Sequence, residues 1–223
     1  LKHSPGGLRD LHLVLWIMLR HYGARSFDAL FNKGLLFPEE YQELKQAGNV
    51  LFRMRFALHT QLKRYDNRLR FDRQLQLSEL LGYHGEGNQP VEAMMRTFFQ
   101  ATQSISQLSQ LLLNSVKQYV LGLQNSAEKQ PLDEHFYLQN QQIAVENHRV
   151  FAKQPETILD LFCHLTQHPE WQVDPMTLRH LRIALQKRQQ PLCELPEARS
   201  RFIQIIQQPQ MVKNAIVPMH QLG

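Results

Sequence analysis

The sequence predicts an all-α protein: a helical bundle with long antiparallel helices, then a second, mainly helical segment with room for a short β-hairpin. Three observations carry this expectation. Apolar residues recur at three- and four-residue spacing over long stretches. Proline and capping residues punctuate those stretches. Strand-like patterning is confined to a few residues beyond position 134.

Leu8, Leu11, Leu15, Met18 or Leu19, and Tyr22 share one stripe, so the first helix is amphipathic and stops near Gly23. Ser26 caps a short helix that ends around Gly34. Pro38, followed by Glu39 and Glu40, suits a helix start by its fixed φ and by the helix dipole. Tyr41, Leu44, Ala47, Leu51, Met54, Leu58, Leu62 and Tyr65 then predict a helix from Pro38 to Tyr65. The stretch Arg64 to Gln74 breaks that pattern, a short helix follows to Gly82, and Gly85-Glu86-Gly87-Asn88 forms a loop. Pro90 opens the longest helix, with Val91, Met94 or Met95, Phe98, Ile105, Leu108, Leu112, Val116 and Tyr119 in register. Gly122 to Glu134 has the composition of a boundary, giving a helical domain over 1–124, a linker over 125–134 and a second segment over 135–223. His135 to Leu138 and Ile143 to Val145 predict a hairpin. Pro155, Pro175 and Pro196 each introduce a further helix, the second capped by Asp174.

The 223 residues suffice for a substantial core in one or two domains. The net charge is +5, and seven Lys and Arg fall between Arg53 and Arg73 against only Asp66 and Asp72. That local field suits phosphates or an acidic protein surface, and suits a solvated helical face equally. Cys163 and Cys193 are too few for a disulfide framework and read as reduced thiols of a cytoplasmic protein. No apolar run has the length of a membrane span, and nothing resembles a signal peptide. Opening on Leu1 directly at a motif, the chain reads as an excised fragment.

That motif is Lys2-His3-Ser4-Pro5-Gly6-Gly7-Leu8-Arg9-Asp10-Leu11-His12. A Pro-Gly-Gly turn into a helix start offers free N–H groups and close approach, and with Lys2, Ser4 and Arg9 it fits a phosphate. The same residues also fit an ordinary capped helix with Asp10 serving the dipole. A second basic set comprises Arg64, Arg68, Arg70 and Arg73, with His59 one turn up the preceding helix. Arginines there suit bidentate phosphate contacts, while Asp66 and Asp72 suit a structural network that closes the turn. His164 and His168 have ligand spacing but no third ligand, so no metal site is expected. Arg179, His180 and Arg182 read as a basic face suited to packing on an adjoining domain, and Cys163 beside Phe162 as core.

The N-terminal motif resembles the segment after the nucleotidyltransferase core in bacterial PII uridylyltransferase/uridylyl-removing enzymes. Arg55-Phe56-Ala57-Leu58-His59 with Arg64-Tyr65-Asp66-Asn67-Arg68-Leu69, Phe71-Asp72-Arg73-Gln74, Gly85 to Glu92, Thr177 to Leu181, and Gln190-Pro191-Leu192-Cys193 with Pro196 to Arg199 resemble the same family in the same order. The resemblance implies a parent enzyme that transfers UMP from UTP to the PII protein with Mg²⁺, removes it in a separate His-Asp domain, and senses glutamine through C-terminal domains. Neither the Gly-Ser loop with Asp-x-Asp nor an adjacent His-Asp pair occurs here. The chain is therefore expected to hold no catalytic residue, to bind no cofactor and to be inactive alone. Its expected part is to face the nucleotide through Lys2, Ser4, Gly6, Gly7, Arg9 and Asp10, and to couple the two catalytic domains. Three other readings remain at this stage: a basic module for nucleic acid or an acidic protein, a structural spacer, and the related glutamine synthetase adenylyltransferase. Against nucleic acid, the aromatics lie mostly in apolar stripes and acids offset the arginines.

Overall fold

Local capping chemistry decides where the helices of the first unit begin and end. Helix α1 spans Leu8–Tyr22 and closes on Gly23, whose φ of 66° is the left-handed stop that glycine tolerates. Helix α2 spans Phe27–Asn32, and the Ser26 hydroxyl accepts from the Ala29 amide at 3.1 Å. Helix α3 spans Pro38–Leu62, with the Glu40 carboxylate accepting from the Phe37 amide at 2.9 Å. Helix α4 spans Phe71–Leu80 and helix α5 Gln89–Val120, 32 residues, or about 48 Å of helix. The computed structural model describes residues 1–2, 4–62, 65–120 and 128–222. It divides into Leu1–Leu113 and Asn114–Gly223, the division falling within α5.

The core of the first unit gathers Leu8, Leu11, Val14 and Met18 of α1 with Leu44, Leu51, Met54 and Leu58 of α3, Leu77 of α4, and Met94, Phe98, Ile105 and Leu108 of α5. The α1 stripe passes through Val14 where Leu15 was expected, and it leaves Trp16 66% exposed. A Cβ on Gly48 would lie 3.4 Å from a Leu11 methyl, which marks the close approach of α3 to α1.

The expected run of α3 to Tyr65 is not observed. Its last described residue is Leu62, residues 63 and 64 lie outside the described set, and Tyr65 is non-helical and 92% exposed. Asp66 supplies the reason. Its carboxylate accepts from the Arg68 amide at 3.0 Å and meets Arg73 Nη1 at 2.8 Å, so the side chain offers the backbone an alternative to continuing the helix. That anchoring also lets α4 begin at Phe71, inside the stretch expected to be irregular.

In the second unit, strands β1 (Gln130–Pro131), β2 (Phe136–Gln139), β3 (Gln142–Val145) and β4 (Gln172–Val173) form one sheet in that order, antiparallel except for β3 with β4. The expected hairpin is β2–β3. It turns on Asn140 and Gln141 at φ 52° and 60°, the left-handed pair that a two-residue hairpin requires. Of the segment expected to be a linker, 125–127 lie outside the described residues and Gln130–Pro131 pair with Tyr137 and Leu138. Helices α6 (Val150–Lys153), α7 (Thr157–Gln167), α8 (Pro175–Lys187), α9 (Pro196–Ile206) and α10 (Val217–Leu222) complete the unit. Asp174 caps α8 by accepting from the Thr177 amide at 2.9 Å. Phe136 and Ile143 of the sheet pack with Phe151, Ile158, Leu161, Phe162, Leu181 and Ile205. Among the described residues no helix is long and apolar enough to cross a membrane.

Candidate functional site

The turn before α1 is built by its own chain. Asp10 accepts from the Gly6 amide at 2.6 Å, and Gly7 N donates to the Ser4 carbonyl at 2.8 Å. Leu8 and Arg9 donate to the Leu1 and Lys2 carbonyls, each at 3.1 Å. The N–H groups expected to greet an anion are thus already satisfied by backbone and by Asp10, and anion binding there would have to come from side chains. Gly6 has a φ of 71°, and a Cβ on it would lie 1.8 Å from the Thr102 carbonyl oxygen. The close approach that its missing side chain permits is to the backbone of α5.

The six N-terminal candidates separate. Lys2 and Ser4 line a polar cavity of about 600 Å³ with Tyr65, Asp66, Asn67, Arg68 and Leu69, and with the apolar Leu1, Met95 and Phe98. The Leu1 nitrogen donates to the Asn67 carbonyl at 3.0 Å and ties the two segments together. Arg9 and Asp10 line another cavity of about 470 Å³ with Pro5, Leu13, Ser106, Ser109, Gln110 and Leu113. Gly6 and Gly7, both buried, form the turn itself.

The basic turn separates as well. Arg73, with a side chain 10% exposed, is held by Asp66 at 2.8 Å and Asp72 at 3.8 Å, so the structural reading holds for that residue. Arg68 and Arg70 are exposed, and neither guanidinium has an ion pair among the described residues. Arg68 joins Lys2 and Ser4, whereas Arg70 precedes α4 as its N-cap. The His59 ring stands edge-on to Tyr65 at 5.3 Å, with a buried Nε2 that finds no hydrogen-bond partner. Arg64 lies outside the described residues.

In the second unit the two histidines of ligand spacing turn to different partners. His164 Nε2 lies 2.7 Å from Asp133, and His168 lies 3.3 Å from Glu170 and stacks on Trp171 at 3.7 Å. Burial pushes the Asp133 carboxyl up. Hydrogen bonds from His164 and from the His135 and Phe136 amides, with the charge of His164, outweigh it and hold the group below the usual carboxylate range. Asp160 moves the other way: burial raises it despite its ion pair with Arg201. Cys163 packs on the core, and burial, aided by Asp160, lifts its thiol to about 11. The expected basic face on α8 is corrected, because Arg179 and Arg182 are 6% and 4% exposed and His180 stacks on His148 at 4.2 Å. Helical spacing alone does not distinguish an arginine on the inner face of α8 from one turned toward another domain.

Ser106 and Ser109, which also line the second cavity, lie outside every motif of the sequence. The available signal was Ser109 itself, a hydroxyl four residues after Ile105 on an otherwise apolar stripe.

Both units match parts of one class of nucleotide-transferring enzymes. Residues 1–113 match the family model described as GlnD PII-uridylyltransferase, and residues 136–223 that described as uridylyltransferase GlnD third domain. The chain belongs to the GlnD uridylyltransferase family. Among curated relatives, it is 48% identical to the bifunctional uridylyltransferase/uridylyl-removing enzymes of Haemophilus influenzae (strain PittEE) and Pasteurella multocida (strain Pm70) over 223 residues, 100% of this chain and 26% of each relative. The correspondingly named enzyme of Vibrio cholerae is 39% identical over 224 residues, again 26% of its length. The chain thus spans about a quarter of the length of these relatives. No solved structure matches it.

Proposed function

We propose that this chain is a helical region of a bifunctional enzyme that transfers UMP from UTP to the PII protein and removes it again. Within that enzyme it supplies one wall of the nucleotide site and couples the transferase and hydrolase domains. The observation that carries this reading is the meeting of Lys2 and Ser4 with Arg68 at one polar cavity, from stretches that lie far apart in sequence. Two cationic side chains and a hydroxyl suit the negative oxygens of a transferring nucleotidyl group, where positioning and fixed charge are the protein's main contributions. Among the described residues no three His, Cys, Asp or Glu side chains are grouped as metal ligands. The Mg²⁺ that such transfer uses would be held by other parts of the enzyme, and this chain's role rests on its charges. The same reading makes PII and UTP the partners, glutamine a regulator acting elsewhere in the enzyme, and the cytoplasm the compartment.

The test is the complete enzyme carrying Lys2→Ala or Arg68→Ala, with uridylyl transfer and uridylyl removal assayed separately beside a thermal melt. Each variant is expected to lose transfer by about tenfold or more, the scale of a charge-assisted hydrogen bond, with removal and melting unchanged. Unaltered transfer in both would refute the assignment. Parallel loss of both activities with a lowered melt would leave the segment a structural role only.

A further inference from the structure

The first unit carries an uncovered aromatic face that the nucleotide reading does not use. Helix α1 is apolar beyond its core stripe: Trp16, 66% exposed, and Leu19, 41% exposed, stand on a second stripe with His12, since residues three and four apart are neighbours on a helix surface. The His12 ring stacks on Trp16 at 6.3 Å and lies 6.4 Å from the ring of Phe52 on α3. Phe56, one turn beyond Phe52, is 76% exposed, against 45% for Phe52 itself. Two helices thus bring these rings to one face. Along both stretches the charge has a single sign, for the chain holds no Asp or Glu from Leu11 to Phe27 or from Leu44 to Tyr65. Arg20 follows Trp16 by four residues and Arg53 precedes Phe56 by three; both are exposed, and neither has an ion pair among the described residues.

We propose, on the reading of this chain as one region of a larger enzyme, that the face built on Trp16, Phe52 and Phe56 seats another domain of that enzyme, one presenting an apolar surface edged with Asp and Glu. The chain makes up 26% of the length of its relatives, so most of such an enzyme lies outside it. Clustered apolar side chains left on a free surface invite association. Contacts that open and close are no more apolar than the rest of a protein surface, whereas permanent ones are. A Trp and two Phe gathered in this way therefore call for lasting cover, which a domain of the same polypeptide gives and a protein that binds and leaves does not. Aromatic residues and Arg are also the anchors found at the centres of such contacts. Arg20 and Arg53 set the chemistry of the edge, because carboxylates opposite them fix the register of docking.

The experiment is hydroxyl-radical labelling of the complete enzyme without PII, read residue by residue by mass spectrometry, with each rate taken relative to the same residue in peptides of the digested enzyme. Trp16, Phe52 and Phe56 should be protected as strongly as the buried Phe98. Arg53→Glu and Phe56→Asp should each speed the labelling of Trp16 severalfold while Phe98 stays protected, which marks undocking rather than unfolding. Lys2→Ala and Arg68→Ala should leave the protection unchanged, so failure of the nucleotide wall and failure of this docking read differently. Four results would each overturn the proposal: Trp16 and Phe56 reacting as freely as their exposure here allows, protection that appears only when PII is added, protection that fades as the enzyme is diluted, or Trp16 labelling indifferent to both substitutions.

Discussion

Replacing Gly6 with alanine tests the packing of the N-terminal turn on α5. The added Cβ would stand 1.8 Å from the Thr102 carbonyl oxygen and 2.5 Å from its carbon, both backbone atoms of a helix. No rotamer change relieves that overlap, so the turn must move away by more than an ångström. The movement strains the 2.6 Å bond from the Gly6 amide to Asp10 and the neighbouring bond from Gly7 N to Ser4. A left-handed φ costs a residue with a side chain about 1–2 kcal/mol, and overpacking with two disturbed hydrogen bonds adds about 2–3 kcal/mol. Gly6→Ala should therefore destabilise the first unit by about 3–5 kcal/mol. Gly23→Ala is the matched control, since Gly23 has nearly the same φ, 66°, but nothing within 4 Å of its Cβ position. That control should lose only about 1 kcal/mol once the reduced freedom of its unfolded chain is counted. At roughly 4–8 °C per kcal/mol for a unit of this size, thermal melts separate the two variants easily. If both lie within about 1 kcal/mol of each other by urea unfolding, close approach to Thr102 is not what requires glycine at position 6.

Two further outcomes follow from the charge pairs. Arg73→Ala should cost about 2–3 kcal/mol because it strands the largely buried Asp66 carboxylate, while Arg68→Ala should stay within about 0.5 kcal/mol; urea midpoints of equal size would erase the distinction between the anchoring arginine and the cavity arginine. Asp133→Ala should lower the melting temperature at neutral pH, since Asp133 closes the β1–β2 turn and meets His164. Its folded carboxyl titrates below the ordinary value of 3.8, so its contribution is complete above that value and is lost as pH falls through the lower folded one. The gap between wild type and variant should accordingly narrow in acid, and a gap that widened there would contradict the assigned pairing.

How much was legible in the sequence depended on how far apart the partners lie. Ser26, Gly23 and Asp174 act on amides or carbonyls within a few residues, and their caps were readable directly. The β2–β3 hairpin was readable for the same reason, whereas β1 and β4, two residues each, exist only through their partners. The cavities were not readable. Lys2 and Arg68 line one cavity, and Arg9 and Leu113 another, across distances in sequence that periodicity does not span. In sequence the N-terminal motif reads as one phosphate-facing surface, yet a helix start turns successive side chains to different sides, and they line two cavities. The basic turn showed the converse limit, because spacing alone could not assign Asp66 to Arg73 and leave Arg68 unpaired.

The carbonyls of Leu1, Lys2 and Ser4 that close the first turn of α1 bear on how this chain can be dissected or recombined. A Pro-Gly-Gly stretch invites a cut, since such sequences usually mark the joints where domains are exchanged. Here the stretch is tied into the first turn of the helix it precedes. Severing the chain between Ser4 and Leu8 would strip α1 of its acceptors and leave Leu8 and Arg9 N–H groups without partners at a core helix. Any chimera that keeps α1 must therefore carry its preceding residues with it, and the two travel as one unit of inheritance.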